Sequence, residues 1–362
     1  MTGQGSVSSG YQPELDAVRA VAIGAVMLFH SVEYVPRFQL FGGPFGVDLF
    51  FVLSGFLITT LLVREWNRSG RIDLKQFFKR RGLRLLPALV LALLLGGAVA
   101  AYIGSNAGRD PYPKAALLAG TYVANLFQTS PEYQLGLLTH TWSLAIEAQY
   151  YLVWPFVVAA ALNRNVDKRR LAFGLAVLGL VVSPLSLFVP KTDGIVQSLL
   201  WTGAKGSGLL MGSALALGLA GSHRLRGLLG RTPLAVVGAV IATAIVVTLS
   251  PTRPVRWWTL AVLVVCFAIV IGHLSIGNGS LFARVARTQP LPAIGLISYG
   301  LYLYHLPLNH LVHGFPRSRV GWLSVAVATA LTFTVAIASY LIVERPALRR
   351  KRRGPVRAAE RR

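Results

Sequence analysis

The stretch KRRGLRLLPALVLALLLGGAVAAYIG, residues 79–104, joins a basic cluster to twenty consecutive residues without a charged side chain. An α-helix of about 20 apolar residues is long enough to cross the hydrocarbon core of a bilayer, which is about 30 Å thick. Similar apolar runs recur along the whole chain. The sequence therefore predicts an all-α, polytopic integral membrane protein.

The composition excludes the main soluble alternatives. The 362 residues are 54% hydrophobic and 14% charged, yet 36 Lys and Arg face 13 Asp and Glu for a net charge of +23. A nucleic-acid-binding domain carries such charge on a soluble core, so we expect no nucleic-acid partner. The lone cysteine, Cys266, excludes a disulfide framework and a cysteine-based metal cluster, and we expect no metal.

A hydropathy window of about 19 residues predicts ten transmembrane helices. These spans are 17–36, 44–63, 85–104, 141–162, 171–190, 196–220, 234–250, 257–276, 292–313 and 320–343. A weaker run at 115–128 is short, and we interpret it as a re-entrant or interfacial helix.

The distribution of basic residues predicts the orientation. With ten spans and a cytoplasmic N-terminus, 27 Lys and Arg fall on the inner side and 8 on the outer side, and Lys205 lies within a span. Counting 115–128 as a span would place the basic loop 164–170 and the basic tail outside, against the positive-inside rule. We therefore predict that both termini are cytoplasmic, with a membrane domain at 1–348 and a disordered, membrane-apposed basic tail at 349–362.

Ionisable side chains inside a span are costly, so each one is a candidate functional residue. In the first span, Arg19 and His30 are separated by about three helical turns, face the same way and lie about 16 Å apart. A neutral imidazole in a dry cavity accepts a proton from a hydroxyl group, which makes His30 a candidate general base. The alternative is a histidine that only bonds to a neighbouring helix.

Glu147 lies in the stretch WSLAIEAQYY, residues 142–151, inside the fourth predicted span. An unpaired carboxylate there would be very costly. Because a carboxylate bonded to one imidazole nitrogen makes the other a better base, we expect Glu147 to pair with His30. The alternative is a structural bond from Glu147 to the backbone or to tyrosine hydroxyls. Trp142 and Ser143, at the start of this stretch, are candidate cavity residues.

The stretch GGPFGVDLFFVLSGF, residues 42–56, leads the chain back into the membrane. Asp48 and Ser54 are candidate cavity residues in this stretch. The alternatives are that Asp48 caps the second helix and that Ser54 bonds to its own backbone.

Arginines cluster at the mouth of the third span. Arg81 and Arg84 are three residues apart and share a helical face, with Arg80 beside them. The positive-inside rule accounts for part of this charge, but lysine would satisfy that rule equally well. Guanidinium groups suit bidentate binding of phosphates, so we expect a phosphate-bearing donor on the cytoplasmic side.

The stretch ISYGLYLYHLP, residues 297–307, places Ser298, Tyr302 and His305 on one helical face. Tyr299, Tyr302 and His305 are candidates for the lining of a polar cavity. The alternative is an aromatic stripe that serves packing.

Taken together, these stretches resemble the membrane-bound acyltransferase 3 family over essentially the whole chain. The matching stretches are LDAVRA (15–20, with His30 eleven residues after Arg19), GVDLFFVLSGF (46–56), RRGLRLLP (80–87), WSLAIEAQYYL (142–152), SYGLYLYH (298–305) and ERP (344–346). Some members append an esterase-like domain, and this chain, which ends in a basic tail, resembles the stand-alone members. We expect it in a cell membrane, the bacterial cytoplasmic membrane.

The resemblance implies transfer of an acyl group, often acetyl, from a coenzyme A thioester to a hydroxyl group, commonly on a sugar. It implies catalytic roles for Arg19, His30 and Glu147 and a donor-binding role for Arg81 and Arg84. Ala148 departs from the family pattern, in which a second acidic residue commonly follows the first. The expected partners are acyl-CoA (acetyl-CoA above all), membrane lipids, and a glycan or glycolipid acceptor.

Two other functions remain open at this point. The acceptor is alternatively a macrolide-type secondary metabolite. A proton-coupled small-molecule transporter, in which His30 and Glu147 relay protons, is the alternative from another class. Against a transporter, the charge clusters at one mouth, and the sequence shows no repeated halves.

Overall fold

The structure, a computed structural model, describes residues 11–32, 35, 42–103, 112–127, 135–184, 195–248, 258–277, 279–313 and 321–351. Every regular element in these residues is helical, which confirms the predicted all-α class. The helices are α1 (Pro13–Val32), α2 (Phe45–Ser69), α3 (Leu74–Tyr102), α4 (Tyr112–Gly120), α5 (Trp142–Asn163), α6 (Lys168–Val182), α7 (Ile195–Gly221), α8 (His223–Leu229), α9 (Thr232–Thr248), α10 (Thr259–Ser275), α11 (Leu281–Arg287), α12 (Leu291–Leu296), α13 (Ser298–His313), α14 (Trp322–Ser339) and α15 (Arg345–Lys351). Short 3-10 segments lie at Ala124–Phe127 and Gly136–Thr141, and a π-helical segment lies at Tyr340–Glu344.

The described helices include several that are able to cross a membrane. Five are at least 18 residues long and sufficiently apolar, and a sixth is added if α8 and α9, which meet at a bend of 65°, form one broken span. Each of the ten predicted spans overlaps one helix of 15 residues or more. The chain is therefore a multi-pass membrane protein.

The outer faces of several helices are apolar, as contact with lipid requires. Leu94 on α3, Phe173 on α6 and Leu323 on α14 are 68%, 73% and 80% exposed. So much exposed apolar surface would favour aggregation in water, but it matches the hydrocarbon core of a bilayer.

The described part of the weaker apolar run, residues 115–127, contains no helix long enough to cross a membrane. Its helical part, α4, has 9 residues, or about 14 Å of helix, less than half the hydrocarbon thickness. Asn125 anchors the following 3-10 segment, because its amide donates to Gln149 on α5 and to Thr202 on α7, both at 3.1 Å. This arrangement agrees with the prediction of a re-entrant or interfacial segment.

Helices α2 and α7 pack with their backbones in contact. A Cβ atom on Gly55 would lie 2.1 Å from the carbonyl oxygen of Leu209, and one on Gly212 would lie 1.9 Å from that of Val52. Only glycine permits so close an approach, and small residues at helix contacts are typical of membrane bundles. The contact fixes α2, which carries one wall of the cavity described below.

The N-terminal half of α1 is clamped at two points. Arg287 on α11 donates to the buried carboxylate of Glu14 at 2.6 Å. A Cβ atom on Gly295 would lie 1.9 Å from the carbonyl oxygen of Asp16, so α12 also touches the α1 backbone. These contacts position Arg19, which follows within one turn.

Two predictions from the charge pattern involve residues that the structure does not describe. Of the predicted tail 349–362, only the part up to Lys351 is described, and it belongs to α15. Seven of the eight basic residues counted on the outer side lie outside the described ranges, namely Arg37, Arg109, Lys191, Arg253, Arg256, Arg317 and Arg319.

Candidate active site

A cavity of about 820 Å³ enters the bundle, with lining residues on α1, α2, α3, α5 and α13. On α2 the lining extends from Val47 to Ser69, about 33 Å along the helix axis at 1.5 Å per residue. We call its two ends the arginine end (Arg64, Arg68, Arg80, Arg81 and Arg84) and the hydroxyl end (Ser143 and Tyr302). The cavity thus joins a strongly basic mouth to neutral hydroxyl groups deep in the bundle.

The arginine end combines the end of α2 with the start of α3. Asp73 caps α3 by accepting a hydrogen bond of 2.9 Å from the backbone N–H of Gln76, so the three arginines expected at the mouth lie on the first turns of this helix. All three line the cavity. Arg64 and Arg68, which also line it, were not predicted; their spacing of four residues on one helical face was the available signal.

Aromatic rings hold Arg81 in place. Its guanidinium carbon lies 5.7 Å from the centre of the Phe77 ring and 5.4 Å from that of Tyr151. Guanidinium groups are attracted to the faces of aromatic rings, and an ammonium group does not reproduce the planar stacking. The mouth therefore presents this arginine in a fixed orientation.

Arg19 lines the same cavity as the cluster on α3. It forms an ion pair with Asp16, one turn earlier on α1. Its side chain is 18% exposed, and the exposed part contributes to the wall of the cavity. The carboxylate beside it offsets part of the positive charge.

Glu147 lines the cavity, and its hydrogen bonds come from two hydroxyl groups and not from His30. Ser54 on α2 donates to its Oε1 atom at 2.5 Å, and Tyr151, one turn later on α5, donates to the same oxygen. The alternative interpretation, bonds from tyrosine hydroxyls, is therefore the one that the structure contains. Ser54 likewise bonds across to another helix and not to its own backbone, because α5 presents an acceptor at that level.

The hydroxyl end consists of a buried hydrogen-bond chain. Tyr302 donates to the carbonyl oxygen of His140 at 2.7 Å, and the Ser143 hydroxyl lies 2.5 Å from the Tyr302 oxygen. Tyr299 donates to the carbonyl oxygen of Leu85 on α3 at 3.0 Å. Both tyrosines line the cavity, whereas His305, the third candidate on this stretch, is buried and is not among the lining residues.

Three histidines lie beyond the hydroxyl end. The ring centres of His30 and His305 are 5.1 Å apart, and so are those of His140 and His305. The centre of the Tyr302 ring lies 5.3 Å from that of His140 and 5.6 Å from that of His305. Sequence reasoning missed His140, although a histidine just before a predicted span was a signal. In the described ranges no group of three or more His, Cys, Asp or Glu side chains has an arrangement that could hold a metal ion.

His30 contacts His305 and not the expected carboxylate. Its Nδ1 atom is 3.0 Å from the carbonyl oxygen of Val26 and 3.2 Å from Nε2 of His305. The expected pair between His30 and Glu147 is therefore replaced by a pair of imidazoles and by hydroxyl donors on the carboxylate. Helix α13 supplies the side chain that contacts His30, while α2 and α5 supply the donors to Glu147, and the sequence could not place these helices against each other.

Asp48 forms a buried ion pair with Lys205 on α7, at 3.3 Å. The interpretation of Asp48 as a helix cap is wrong, because α2 begins at Phe45 and its cap position, Pro44, has no side-chain bond. The second carboxylate oxygen of Asp48 has no hydrogen-bond partner among the described residues. Lys205, a lone lysine in an apolar span, should have prompted a search for this acidic partner.

Trp142 packs among aromatic rings outside the cavity. Its ring lies 4.5 Å from that of Trp201 and 6.3 Å from that of Phe51, both edge to face. It is not among the residues that line the cavity. Its position therefore favours packing, while Ser143, its neighbour, reaches the cavity.

A family model described as an acyltransferase domain matches residues 12–342. The chain is 30% identical over 359 residues to the O-acetyltransferase OatA of Staphylococcus aureus (strain NCTC 8325 / PS 47), and the match covers 94% of this chain and 57% of that protein. It is 29% identical over 368 residues to the peptidoglycan O-acetyltransferase OatA of Listeria monocytogenes, with 94% and 56% covered.

A putative O-acetyltransferase of Staphylococcus aureus (strain MSSA476) is 27% identical over 353 residues, with 93% of this chain and 57% of that protein covered. No solved structure matches significantly. The chain spans a little more than half the length of these relatives, and the family model covers residues 12–342 of the chain. The chain therefore belongs to the acyltransferase 3 family.

Proposed function

We propose that the protein is a membrane O-acetyltransferase that moves an acetyl group from acetyl-CoA to a hydroxyl group of a cell-surface glycan of the peptidoglycan type. One observation carries the proposal: one cavity joins the arginine end to the hydroxyl end, where the Tyr302 ring contacts His305, which in turn contacts His30. The relatives, which are O-acetyltransferases and include a peptidoglycan O-acetyltransferase, support the reaction and the acceptor class.

The arginine end suits the donor. Five arginines line it, and Glu65 is the acidic residue beside them in the lining. Clustered like charges repel each other, and a ligand with several phosphates relieves that repulsion while it accepts bidentate hydrogen bonds. The nucleotide of coenzyme A has such phosphates, and its narrow pantetheine arm fits the part of the cavity that Phe50, Phe51 and Leu57 line.

The far end of the cavity suits the chemistry. A thioester that extends along the cavity reaches Ser143 and Tyr302 at its far end. The Tyr302 ring also contacts the rings of His140 and His305. In the proposed step, His30 takes the proton of the acceptor hydroxyl while the oxygen attacks the thioester carbonyl. The carbon–sulfur bond breaks, and the imidazolium returns the proton to the departing thiolate. Arg19, which lines the cavity about 16 Å from His30 along the same helix, adds positive charge to the wall that the donor passes.

Glu147 has a supporting part in this scheme. Through Tyr151, which both donates to it and stacks on Arg81, the carboxylate fixes one side of the donor path. Glu147 is thereby a positioning residue for the arginine end and not the partner of His30.

The proposed topology has ten transmembrane helices with both termini in the cytoplasm. Its support is the distribution of 27 basic residues inside and 8 outside, and the ten described helices of 15 residues or more that overlap the predicted spans. In this orientation the arginine end opens to the cytoplasm, where acetyl-CoA is made. Replacing Cys266 by Ser and introducing single cysteines tests the topology: Arg71→Cys should react only with membrane-permeant thiol reagents in intact cells.

The function is tested with the purified full chain in lipid nanodiscs. Radiolabelled acetyl-CoA and soluble peptidoglycan fragments should give free thiol and labelled ester in equal amounts, and His30→Ala should abolish both. Thiol release that does not depend on acceptor, or uptake of a proton-coupled solute into proteoliposomes without thiol release, would contradict the proposal. The second outcome would favour a transporter.

A further inference from the structure

We propose that His305 is a positioning residue for His30 and holds its ring in the tautomer whose Nε2 atom accepts a proton. The inference rests on the proposed function, in which His30 is the general base. It replaces the carboxylate expected from the sequence with a second, uncharged imidazole. The observation behind it is the chain of short contacts from the Tyr302 carbonyl through His305 to His30.

The backbone determines the tautomer of His305. Its Nδ1 atom lies 2.7 Å from the carbonyl oxygen of Tyr302, three residues earlier on α13. A carbonyl oxygen only accepts hydrogen bonds, so Nδ1 carries the hydrogen. In a neutral imidazole the other nitrogen, Nε2, is then an acceptor.

His305 and the Val26 carbonyl together determine the tautomer of His30. Nδ1 of His30 lies 3.0 Å from the carbonyl oxygen of Val26 and 3.2 Å from Nε2 of His305. Both neighbours are acceptors, so Nδ1 carries the hydrogen and shares it between them. The opposite tautomer would place a lone pair against two acceptors at these distances. Nε2 is therefore the basic nitrogen of His30.

An imidazole suits this position better than a carboxylate does. His305 is 1% exposed, and the neighbouring residues on its helix, Leu303 and Leu306, are buried and apolar. A carboxylate in such surroundings is costly unless it is fully bonded. When Nε2 of His30 takes the hydroxyl proton, the positive ring still donates through Nδ1 to His305, and that bond becomes charge-assisted and stronger. The proton later leaves from Nε2 to the thiolate, so His305 keeps its own hydrogen throughout.

Two variants separate this role from a packing role. His305→Phe keeps the volume but removes the acceptor, whereas His305→Gln retains an acceptor near the position of Nε2. We expect His305→Phe to lower kcat about 100-fold, at the lower end of the effect of general base catalysis, with the KM for acetyl-CoA unchanged. His305→Gln should recover at least about tenfold of that loss. Equal loss in both variants, or a loss confined to KM, would overturn the proposal.

A spectroscopic measurement tests the tautomer without any substrate. In the full chain labelled with ¹⁵N-histidine and reconstituted in nanodiscs, His30 should show a protonated Nδ1 and an unprotonated Nε2, assigned by comparison with His30→Gln. His305→Gln should preserve this signature, and His305→Phe should add a detectable fraction of the other tautomer, because only the Val26 carbonyl then accepts from Nδ1. The opposite tautomer in the wild-type protein overturns the inference even if His305→Phe fails to fold. The expected tautomer without thioester chemistry would contradict only the proposed function.

Discussion

Ser54 on α2 and Tyr151 on α5 donate hydrogen bonds to the same carboxylate oxygen of Glu147, the first at 2.5 Å. The two donors satisfy a charge that would otherwise be costly inside the bundle. They also join two walls of the cavity at the level between the arginine end and the hydroxyl end. The carboxylate thus contributes to the geometry of the donor path.

Ser54→Ala should destabilise the protein more than it impairs the chemical step. The substitution removes a hydrogen bond to a charged acceptor, and such bonds contribute about 1.5–3 kcal/mol. Glu147 keeps its bond from Tyr151, so kcat should change only a few-fold. Thermal unfolding in detergent measures the first effect and acetyl transfer the second. Ser324→Ala, at an exposed serine bonded only to the Gly321 carbonyl, is the control, and an unchanged melting temperature with abolished turnover would contradict this account.

Arg81 should matter for donor binding in a way that lysine does not replace. Because its guanidinium lies against the rings of Phe77 and Tyr151, Arg81→Lys keeps the charge but loses the stacking and the bidentate geometry. We expect both Arg81→Ala and Arg81→Lys to raise the KM for acetyl-CoA about tenfold, which corresponds to about 1.4 kcal/mol. Steady-state kinetics at varied acetyl-CoA measures this.

The matched control for that prediction is Arg71→Ala. Arg71 is exposed in the connection between α2 and α3 and does not line the cavity, so its removal tests whether basic charge near the mouth suffices. Wild-type kinetics in Arg81→Lys, or an equal rise of KM in Arg71→Ala, would mean that the mouth acts only through its net charge.

The parts of the site that sequence predicts well are those set by one helix. Arg81 and Arg84 share a face because they are three residues apart, and Ser298 and Tyr302 share one because they are four apart. Helical periodicity is a local property, so these sets could be predicted before any packing was known. The long apolar runs likewise predict helices, because the bilayer leaves few other conformations.

The parts that it does not predict are contacts between helices. Ser54 and Glu147 are 93 residues apart, Asp48 and Lys205 are 157 apart, and His30 and His305 are 275 apart. Periodicity indicates which face of a helix is polar but not which helix lies opposite. The expected pairing of Glu147 with His30 is a prediction about which helices face each other, and packing gives each side chain another partner.

The ion pair between Asp48 and Lys205 should show strong coupling in a double-mutant cycle. Removing one partner of a buried pair leaves an uncompensated charge and typically costs 3–5 kcal/mol, whereas removing both costs far less. The Lys205 side chain is 20% exposed, so we expect about 2 kcal/mol for Asp48→Asn or Lys205→Met alone. The double variant should be closer to wild type than either single variant. Denaturant titration in mixed micelles measures the cycle, and additive losses would show that the two residues act independently.

A single methyl group added at the glycine contact between α2 and α7 should destabilise the protein. In Gly212→Ala the new Cβ atom would lie 1.9 Å from the Val52 carbonyl oxygen, so the two helices must separate. Overpacking of this kind typically costs about 1–3 kcal/mol. Because α2 also carries Ser54 and the wall of the cavity, we expect a lower melting temperature together with a lower acetyl-transfer rate.

Gly206, two turns earlier on the same helix, provides the matched comparison. A Cβ atom there would have nothing within 4 Å, and alanine is a better helix former than glycine by about 1 kcal/mol. Gly206→Ala should therefore be as stable as the wild-type protein or slightly more so, with unchanged activity. If Gly212→Ala behaved in the same way, α2 and α7 would not be in backbone contact in the membrane, and the wall of the cavity would have to be positioned by α5 instead.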